Sequence, residues 1–260
     1  MYRRLLSFLL SAVLASASLV ALGAECSARS GPHRVALLEL YTSEGCSSCP
    51  PADRWLSGVA AQGSPPLQVV PLALHVDYWD YIGWQDRFAR AAFSARQRDM
   101  AKLGRAGFVY TPQVMVNGQD TPQWGGSAFA ERIRAVNRLM AQANIRLSLK
   151  QSATSVEINA DADSTQEGET ALYVALYENG LSSDVKRGEN SGAKLHHDYV
   201  VREWLGPIPL SPGKAADLKK KLSLPPDWNA KNMGAAAFVQ NRTTGEVVQA
   251  MSMKLCDAAA

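Results

Sequence analysis

The feature that most constrains the fold is an apolar stretch that leads into two cysteines and two prolines. Val35–Tyr41 is an almost continuous apolar run of strand length, as is typical of a strand that is buried on both faces of a sheet. Cys46 and Cys49 follow, and from Cys49 onward apolar residues recur at helical spacing. Pro50 and Pro51 suit the first turn of a helix, which needs no backbone donors. The stretch predicts a buried parallel strand and then a helix that starts at a Cys-x-x-Cys pair.

Strand and helix patterns alternate after this helix. The predicted elements are a strand over Leu67–Val76, a helix over 85–103, a hairpin over 108–118 and a helix over 127–142. The first strand, the first helix and the second strand should form a right-handed βαβ unit. Asn117-Gly118 is a strong signal for a tight hairpin turn. We therefore expect an α/β domain over residues 33–143.

The pattern changes beyond Asn144, where polar and apolar residues alternate. Strands are predicted at Ile145–Lys150, Val156–Ala160, Glu169–Glu178, Tyr199–Trp204, Ala235–Gln240 and Glu246–Leu255. A short helix is expected at Ala215–Leu222 within a segment rich in proline and lysine. These patterns predict a small antiparallel β domain over residues 144–256.

The N-terminal residues have the order of a secretory signal peptide. Arg3 and Arg4 precede the apolar stretch Leu5–Leu22, and small residues follow it up to Ala24. Residues 1–24 are therefore predicted to be a signal peptide. No stop-transfer pattern follows, so the mature chain is expected to be periplasmic or secreted, without stable insertion in a membrane.

The balance of charged residues argues against nucleic acid as a partner. The chain has 27 basic and 24 acidic residues, and removal of Arg3 and Arg4 with the leader leaves 25 against 24. A nearly neutral chain has no electrostatic reason to bind nucleic acid. No cofactor motif is apparent in the sequence.

Four cysteines in an exported chain suggest two pairs. The natural partition joins Cys46 to Cys49, and Cys26 to Cys256 at the two ends of the mature chain. The alternative for the second pair is two free thiols in the termini, because spacing alone does not fix connectivity.

The position of the first pair suggests redox chemistry. Free amides and the positive dipole end at a helix start stabilise a thiolate, so Cys46 is expected to be the nucleophile. Cys49 lies on the same helical face, at a separation that a disulfide accepts, and would be the resolving thiol. An inert structural disulfide between the two is the less favoured interpretation.

This order of elements resembles the thioredoxin-like fold from about Val35 to Gln142. In that fold a threonine-proline bond is cis and lies beside the cysteine pair, and Thr111 and Pro112 match that motif. The resemblance implies that the backbone at Thr111 binds a substrate chain. It also implies that Glu39 is a buried acid beneath the pair that accepts the proton of the resolving cysteine.

Three further segments resemble a more specific family. The segments LELYTSEGCSSCPPAD, HVDYWDYIGWQDRFA and HHDYVVREWLG are similar to those of the bacterial secreted family catalogued as domain of unknown function 1223. This resemblance covers most of the mature chain and implies a thioredoxin-like N-terminal part with an added β region. It implies no established activity. Gly45, where thioredoxin has tryptophan, separates this chain from thioredoxin itself.

Several residues at the end of the second predicted strand are candidates for substrate binding. His75 and Asp77 end this strand at the sheet edge that the cysteine pair shares, where ligands collect in such sheets. Trp79 and its aromatic neighbours would line a groove or pack between elements. His196 and His197 face opposite sides of a strand, so a structural role is favoured over a shared metal.

Three functions remain open from the sequence. The first is an exported thiol–disulfide oxidoreductase that acts on protein thiols or disulfides, with a periplasmic redox partner. The second is a protein that binds copper(I) or another soft metal through Cys46, Cys49 and His75. The third is a binding module that keeps the fold without the chemistry.

Overall fold

The computed structural model describes residues 24–61, 68–210 and 215–256. The predicted signal peptide lies outside these residues, except for Ala24. Three helices are described, namely α1 (Pro50–Gly58), α2 (Ala91–Leu103) and α3 (Ser127–Asn137). In the described ranges no helix is both long and apolar enough to cross a bilayer.

The described ranges contain fourteen strands. The strands up to α3 are β1 (Ala24–Arg29), β2 (Ala36–Thr42), β3 (Val69–His75), β4 (Gln113–Val116) and β5 (Gln119–Asp120). The strands after α3 are β6 (Ala143–Gln151), β7 (Ser155–Ser164), β8 (Thr170–Glu178), β9 (Leu181–Asp184), β10 (Lys194–His197), β11 (Val200–Leu210), β12 (Ala216–Ser223), β13 (Met233–Asn241) and β14 (Val247–Lys254).

One eight-stranded sheet forms the centre of the molecule. Its strand order is β14-β13-β8-β11-β3-β2-β4-β5. β2 and β3 are parallel and α1 connects them, while β4 is antiparallel to β2. The β4–β5 turn has positive φ at Asn117 (48°) and Gly118 (82°), as a tight hairpin requires. A side chain at Gly118 would collide with the carbonyl of Gly245, at 2.1 Å.

Four of the C-terminal strands join the central sheet, in contrast to the expectation of a separate small β domain. β11 pairs in parallel with β3, so β8, β11, β13 and β14 extend the sheet that β2 and β3 begin. Pairing across strands far apart in sequence is decided by tertiary contacts and leaves no local pattern. β6, β7 and β12, with β1, make a separate antiparallel sheet in the order β1-β6-β7-β12, and β9 and β10 form a two-stranded antiparallel sheet.

Both faces of the central sheet are covered, which explains why its strands are apolar on both sides. Leu38 and Leu40 of β2 pack against α1 and α3, and Leu37 and Tyr41 face α2. The C-terminal strands direct alternate residues toward α2 and toward the four-stranded sheet. Residue parity along each strand therefore decides which layer a side chain joins.

The ends of the described chain are joined by a disulfide. Cys26 of β1 and Cys256, just after β14, form the predicted bond, with a Cα–Cα distance of 5.7 Å. β1 belongs to the four-stranded sheet and β14 is an edge of the eight-stranded sheet. The bond therefore fastens the two sheets together.

One helix prediction was wrong, and another was wrong in where the helix begins. Residues 216–223 form the strand β12, which pairs with β7 at the edge of the four-stranded sheet. Its lysines suit such an edge, because charge there discourages further pairing. The helix predicted from residue 85 begins at Ala91. Before it, the Asp86 carboxylate accepts from the backbone of Phe88 at 2.9 Å and stabilises a turn instead.

Candidate active site

The two cysteines lie at the carboxyl end of β2, where the chain enters α1. Helix α1 begins at Pro50, and Cys49 is the residue just before it. Cys46 lies in the preceding turn, which is closed by a hydrogen bond from the Cys49 amide to the Cys46 carbonyl at 3.2 Å. Both cysteines are free and buried, and Cys46 is 1% exposed.

Cys46 has the environment of a stabilised thiolate. A hydrogen bond from the Cys49 thiol lowers the pKa of Cys46 to about 6, against the opposing effect of burial. The Ser48 hydroxyl, 3.2 Å from the Cys46 sulfur, acts in the same direction. The expected source, amides at the helix start, contributes less, because Pro50 and Pro51 have no N–H groups.

Cys49 has the opposite environment. Burial raises the pKa of Cys49 strongly, and the neighbouring Cys46 and the charge of Asp53 raise it further. Asp53 lies one helical turn later and is itself buried. Burial also raises the pKa of Asp53. The pair is therefore asymmetric, with one thiol that ionises near neutral pH and one that keeps its proton.

The segment around Pro112 lies against the cysteine turn. The Thr111–Pro112 peptide bond is cis. The Thr111 carbonyl lies 3.7 Å from the Cys46 sulfur and 3.4 Å from the Ser48 hydroxyl. This carbonyl and the exposed Ser47 and Ser48 border the reactive sulfur.

Trp79 completes this side of the site. Its indole N–H donates to the Thr111 hydroxyl at 2.7 Å. A side chain added to Gly45 would meet the Trp79 Cβ at 3.0 Å, so glycine is needed just before Cys46. Trp79 thus fills the space next to Gly45.

Beneath the turn lies a buried cluster of five ionisable groups, which are Glu44, Asp53, His75, Asp86 and His197. His75 Nδ1 is 2.7 Å from the Asp86 carboxylate. His197 Nε2 is 3.3 Å from Glu44 Oε1, and its Nδ1 is 3.7 Å from Asp53 Oδ2. His197 comes from β10, so the cluster connects the cysteine turn to the C-terminal part of the chain.

The contacts within the cluster shift the pKa values of its members. Burial disfavours the charged form of His75, but the Asp86 carboxylate overcomes this and raises the pKa of His75. Burial likewise opposes ionisation of Glu44, yet the contact with His197 lowers the pKa of Glu44. Burial also opposes ionisation of Asp86, and His75 in turn lowers the pKa of Asp86.

The structure does not bring Glu39 to the cysteines, in contrast to the expectation from the resemblance. Glu39 faces α2, on the side of the sheet opposite α1, where Arg96 binds it at 2.6 and 3.1 Å. The Arg96 guanidinium also lies 4.7 Å from the Trp204 ring. Successive residues of β2 face opposite sides of the sheet, and the position of Glu39 in the strand places it on the side of α2. The buried acid on the side of Cys49 is Asp53.

Two other residues predicted to bind a substrate, His75 and Asp77, make contacts within the protein instead. His75 is completely buried and bound to Asp86, so it is not available to a substrate. Asp77 accepts a hydrogen bond from the Ser94 hydroxyl of α2. No group of three or more cysteine, histidine or acidic side chains suited to a metal ion occurs among residues 24–61, 68–210 and 215–256.

Sequence reasoning missed the loop between β9 and β10, residues 185–193, which we call the capping loop. Glu189 Oε2 accepts from the Ser47 amide at 3.0 Å. The Asn190 side chain donates to the Glu44 and Cys46 carbonyls, at 2.8 and 2.9 Å. No sequence pattern indicated these contacts, because they join residues more than 140 positions apart.

Known proteins that are similar cover most of the chain. The family model described as "Protein of unknown function (DUF1223)" matches residues 37–240. A crystal structure of a protein from Agrobacterium tumefaciens has 26% identity and a TM-score of 0.63, and covers 88% of this chain and 97% of that one. HBP35 of Porphyromonas gingivalis, at 15% identity and a TM-score of 0.67, shares the fold over 89% of this chain and 79% of its own. The comparison with curated proteins gave no match.

Proposed function

This chain belongs to the family of proteins of unknown function DUF1223, and we propose that it is an exported, thioredoxin-like thiol–disulfide oxidoreductase. The observation that carries the proposal is the asymmetry of the cysteine pair. The pKa of Cys46 is lowered to about 6, whereas burial raises that of Cys49. A nucleophile that is ionised at neutral pH beside a protonated resolving thiol is what disulfide exchange requires.

The exchange proceeds in two steps, each of which forms one sulfur–sulfur bond and breaks another. The Cys46 thiolate attacks one sulfur of a substrate disulfide, a bond forms between Cys46 and that sulfur, and the other substrate sulfur leaves as a thiolate. Cys49 then loses its proton and attacks the Cys46 sulfur, which releases the second substrate thiolate. The cysteine pair is oxidised by two electrons and the substrate disulfide is reduced, and the reverse sequence forms a disulfide.

We assign Asp53 as the group that accepts the proton of Cys49. It is buried on the same helical face, one turn after Cys49, and its raised pKa suits a carboxylate that accepts a proton. The Thr111 carbonyl, next to the cis bond and near the Cys46 sulfur, is suited to hold the backbone of a substrate chain.

Trapping of the mixed disulfide tests this proposal. In the reduced Cys49→Ala protein, glutathione disulfide should leave one glutathione on Cys46, because the resolving thiol is missing. The wild-type protein should instead end with a Cys46–Cys49 bond and no adduct, and Cys46→Ser should form no adduct. Mass spectrometry of the peptide that spans the turn distinguishes these products.

Ser47→Ala serves as the matched control, because Ser47 lies between the cysteines and its side chain contacts neither sulfur in the structure. It should behave as the wild type does. Absence of an adduct in Cys49→Ala, or equal labelling of Cys46→Ser, would contradict a nucleophile at position 46.

A further inference from the structure

The capping loop is an ordered element that lies over the reactive cysteine. Its backbone is closed by hydrogen bonds between Val185 and Ala193 and between Gly192 and Val185, each at 2.9 Å. Gly188, with φ of 75°, lies so close to the helical turn after β3 that a side chain there would meet Trp84 at 3.3 Å. The loop therefore has a defined conformation in contact with the cysteine turn.

The tip of this loop uses the polar groups that surround Cys46. Glu189 accepts a hydrogen bond from the Ser47 amide, and the Asn190 side chain donates to the Cys46 and Glu44 carbonyls. These are backbone groups that a polypeptide bound across the turn would use. Although Ser47 and Ser48 are exposed, Cys46 between the tip and Thr111 is almost completely covered.

The base and the tip of the hairpin are held in different ways. At the base, His197 is buried among Glu44 and Asp53, and the Arg87 guanidinium donates to the Ser182 carbonyl at 2.9 Å. At the tip, Glu189 is exposed to solvent. The hydrogen bond of Glu189 is open to water and those of Asn190 are partly buried, whereas His197 at the base is almost fully buried. The contacts of the tip exchange with water more readily than those of the base, so the tip is able to separate while the base stays in place.

We propose that Glu189 and Asn190 determine which disulfides reach Cys46, an inference that rests on the proposed exchange activity. With the tip in place, Cys46 reacts with small disulfides only. A disulfide within a folded protein reaches Cys46 only when the tip is displaced, because its backbone needs the space and the hydrogen-bonding groups that Glu189 and Asn190 occupy.

The experiment compares two probes with the full mature chain. The rate of exchange of the reduced protein is measured with glutathione disulfide and with insulin, for the wild type and for a Glu189→Ala/Asn190→Ala variant. The ratio of the insulin rate to the glutathione rate should rise about tenfold or more in the variant, since three hydrogen bonds at the tip are lost. Asp184→Asn, on the exposed face of β9 in the same hairpin, is the control and should leave the ratio unchanged.

Two results would overturn the inference: an unchanged ratio in the double variant, or an equal rise in Asp184→Asn. Glu189→Gln gives an independent measure, because it keeps an acceptor for the Ser47 amide and should change the ratio less than the double variant. An equally large rise in Glu189→Gln would show that charge, not the tip's contacts, sets the preference. Failure of the wild type to react with glutathione disulfide would instead refute the exchange activity itself.

Discussion

The two cysteine pairs of this protein occupy opposite settings. Cys26 and Cys256 are 230 residues apart in sequence and are joined, so they fasten the edge of one sheet to another. Cys46 and Cys49 are three residues apart and free, at the entry to a helix, with one pKa lowered and the other raised. The comparison shows that the stability of a bond and the reactivity of a thiol depend on what surrounds the sulfurs.

The largest effect is expected from removal of the joined pair. Cys26→Ser/Cys256→Ser should lower the free energy of unfolding by about 5 kcal/mol, since a loop this long gives the unfolded chain much more freedom when it is opened. Urea unfolding measures this change. Exchange with glutathione disulfide should stay unchanged while the variant is folded.

Cys46→Ser/Cys49→Ser is the matched variant of the other pair. It should lower the free energy of unfolding by less than the first double substitution, since only two buried thiols become hydroxyls, and it should show no exchange. Equal destabilisation by the two double substitutions would contradict the division between a structural pair and a reactive pair.

A smaller effect is expected at a buried acid that is remote from both pairs. Glu39→Gln should lower the free energy of unfolding by about 3 kcal/mol, because the charge of Arg96, whose side chain is only 10% exposed, loses its buried partner. The pH dependence of Cys46 alkylation should not change, since Glu39 lies on the other face of the sheet. Calorimetry and alkylation kinetics together provide the measurement.

Glu203→Gln is the control for this substitution, because Glu203 pairs with Arg90 at 3.7 Å in a partly exposed position. Its effect on stability should stay within about 0.5 kcal/mol. A shift in the alkylation midpoint of Glu39→Gln would mean that Glu39 acts on the cysteine pair after all.

The smallest effect concerns the pH dependence of the reactive thiol. Because the pKa of Cys46 is about 6, its thiolate is present above that pH and is lost as the pH falls through it. The rate of alkylation by iodoacetamide should therefore fall about tenfold from pH 7 to pH 5.

In Cys49→Ala the alkylation midpoint should move upward, because the main hydrogen bond to the thiolate is missing. Ser47→Ala should keep the wild-type midpoint. A wild-type midpoint near the free-cysteine value of about 8.5 would remove the asymmetry on which the comparison depends.

Local pattern predicted much of the fold. The apolar runs of β2 and β3, the helical spacing after Cys49 and the turn at Asn117-Gly118 predicted their elements within a few residues. The wrong helix assignment at Ala215–Leu222 came from a lysine-rich segment, in which alternation was weak and pairing with β7 decided the outcome. The short strand β9 was not predicted, because four residues carry too little alternation to indicate a strand.

The sequence by itself determined the secondary structure near the cysteines and the spacing of the pair, because these depend on neighbouring residues. Only the tertiary structure decided that four C-terminal strands extend the central sheet and that Glu39 pairs with Arg96. It also decided which distant residues lie at the cysteine turn, namely His197, Glu189 and Asn190. The physical reason is that these contacts join distant parts of the chain, and their partners are set by how the layers pack. Which residues surround Cys46 is therefore determined by the tertiary structure and not by local sequence pattern.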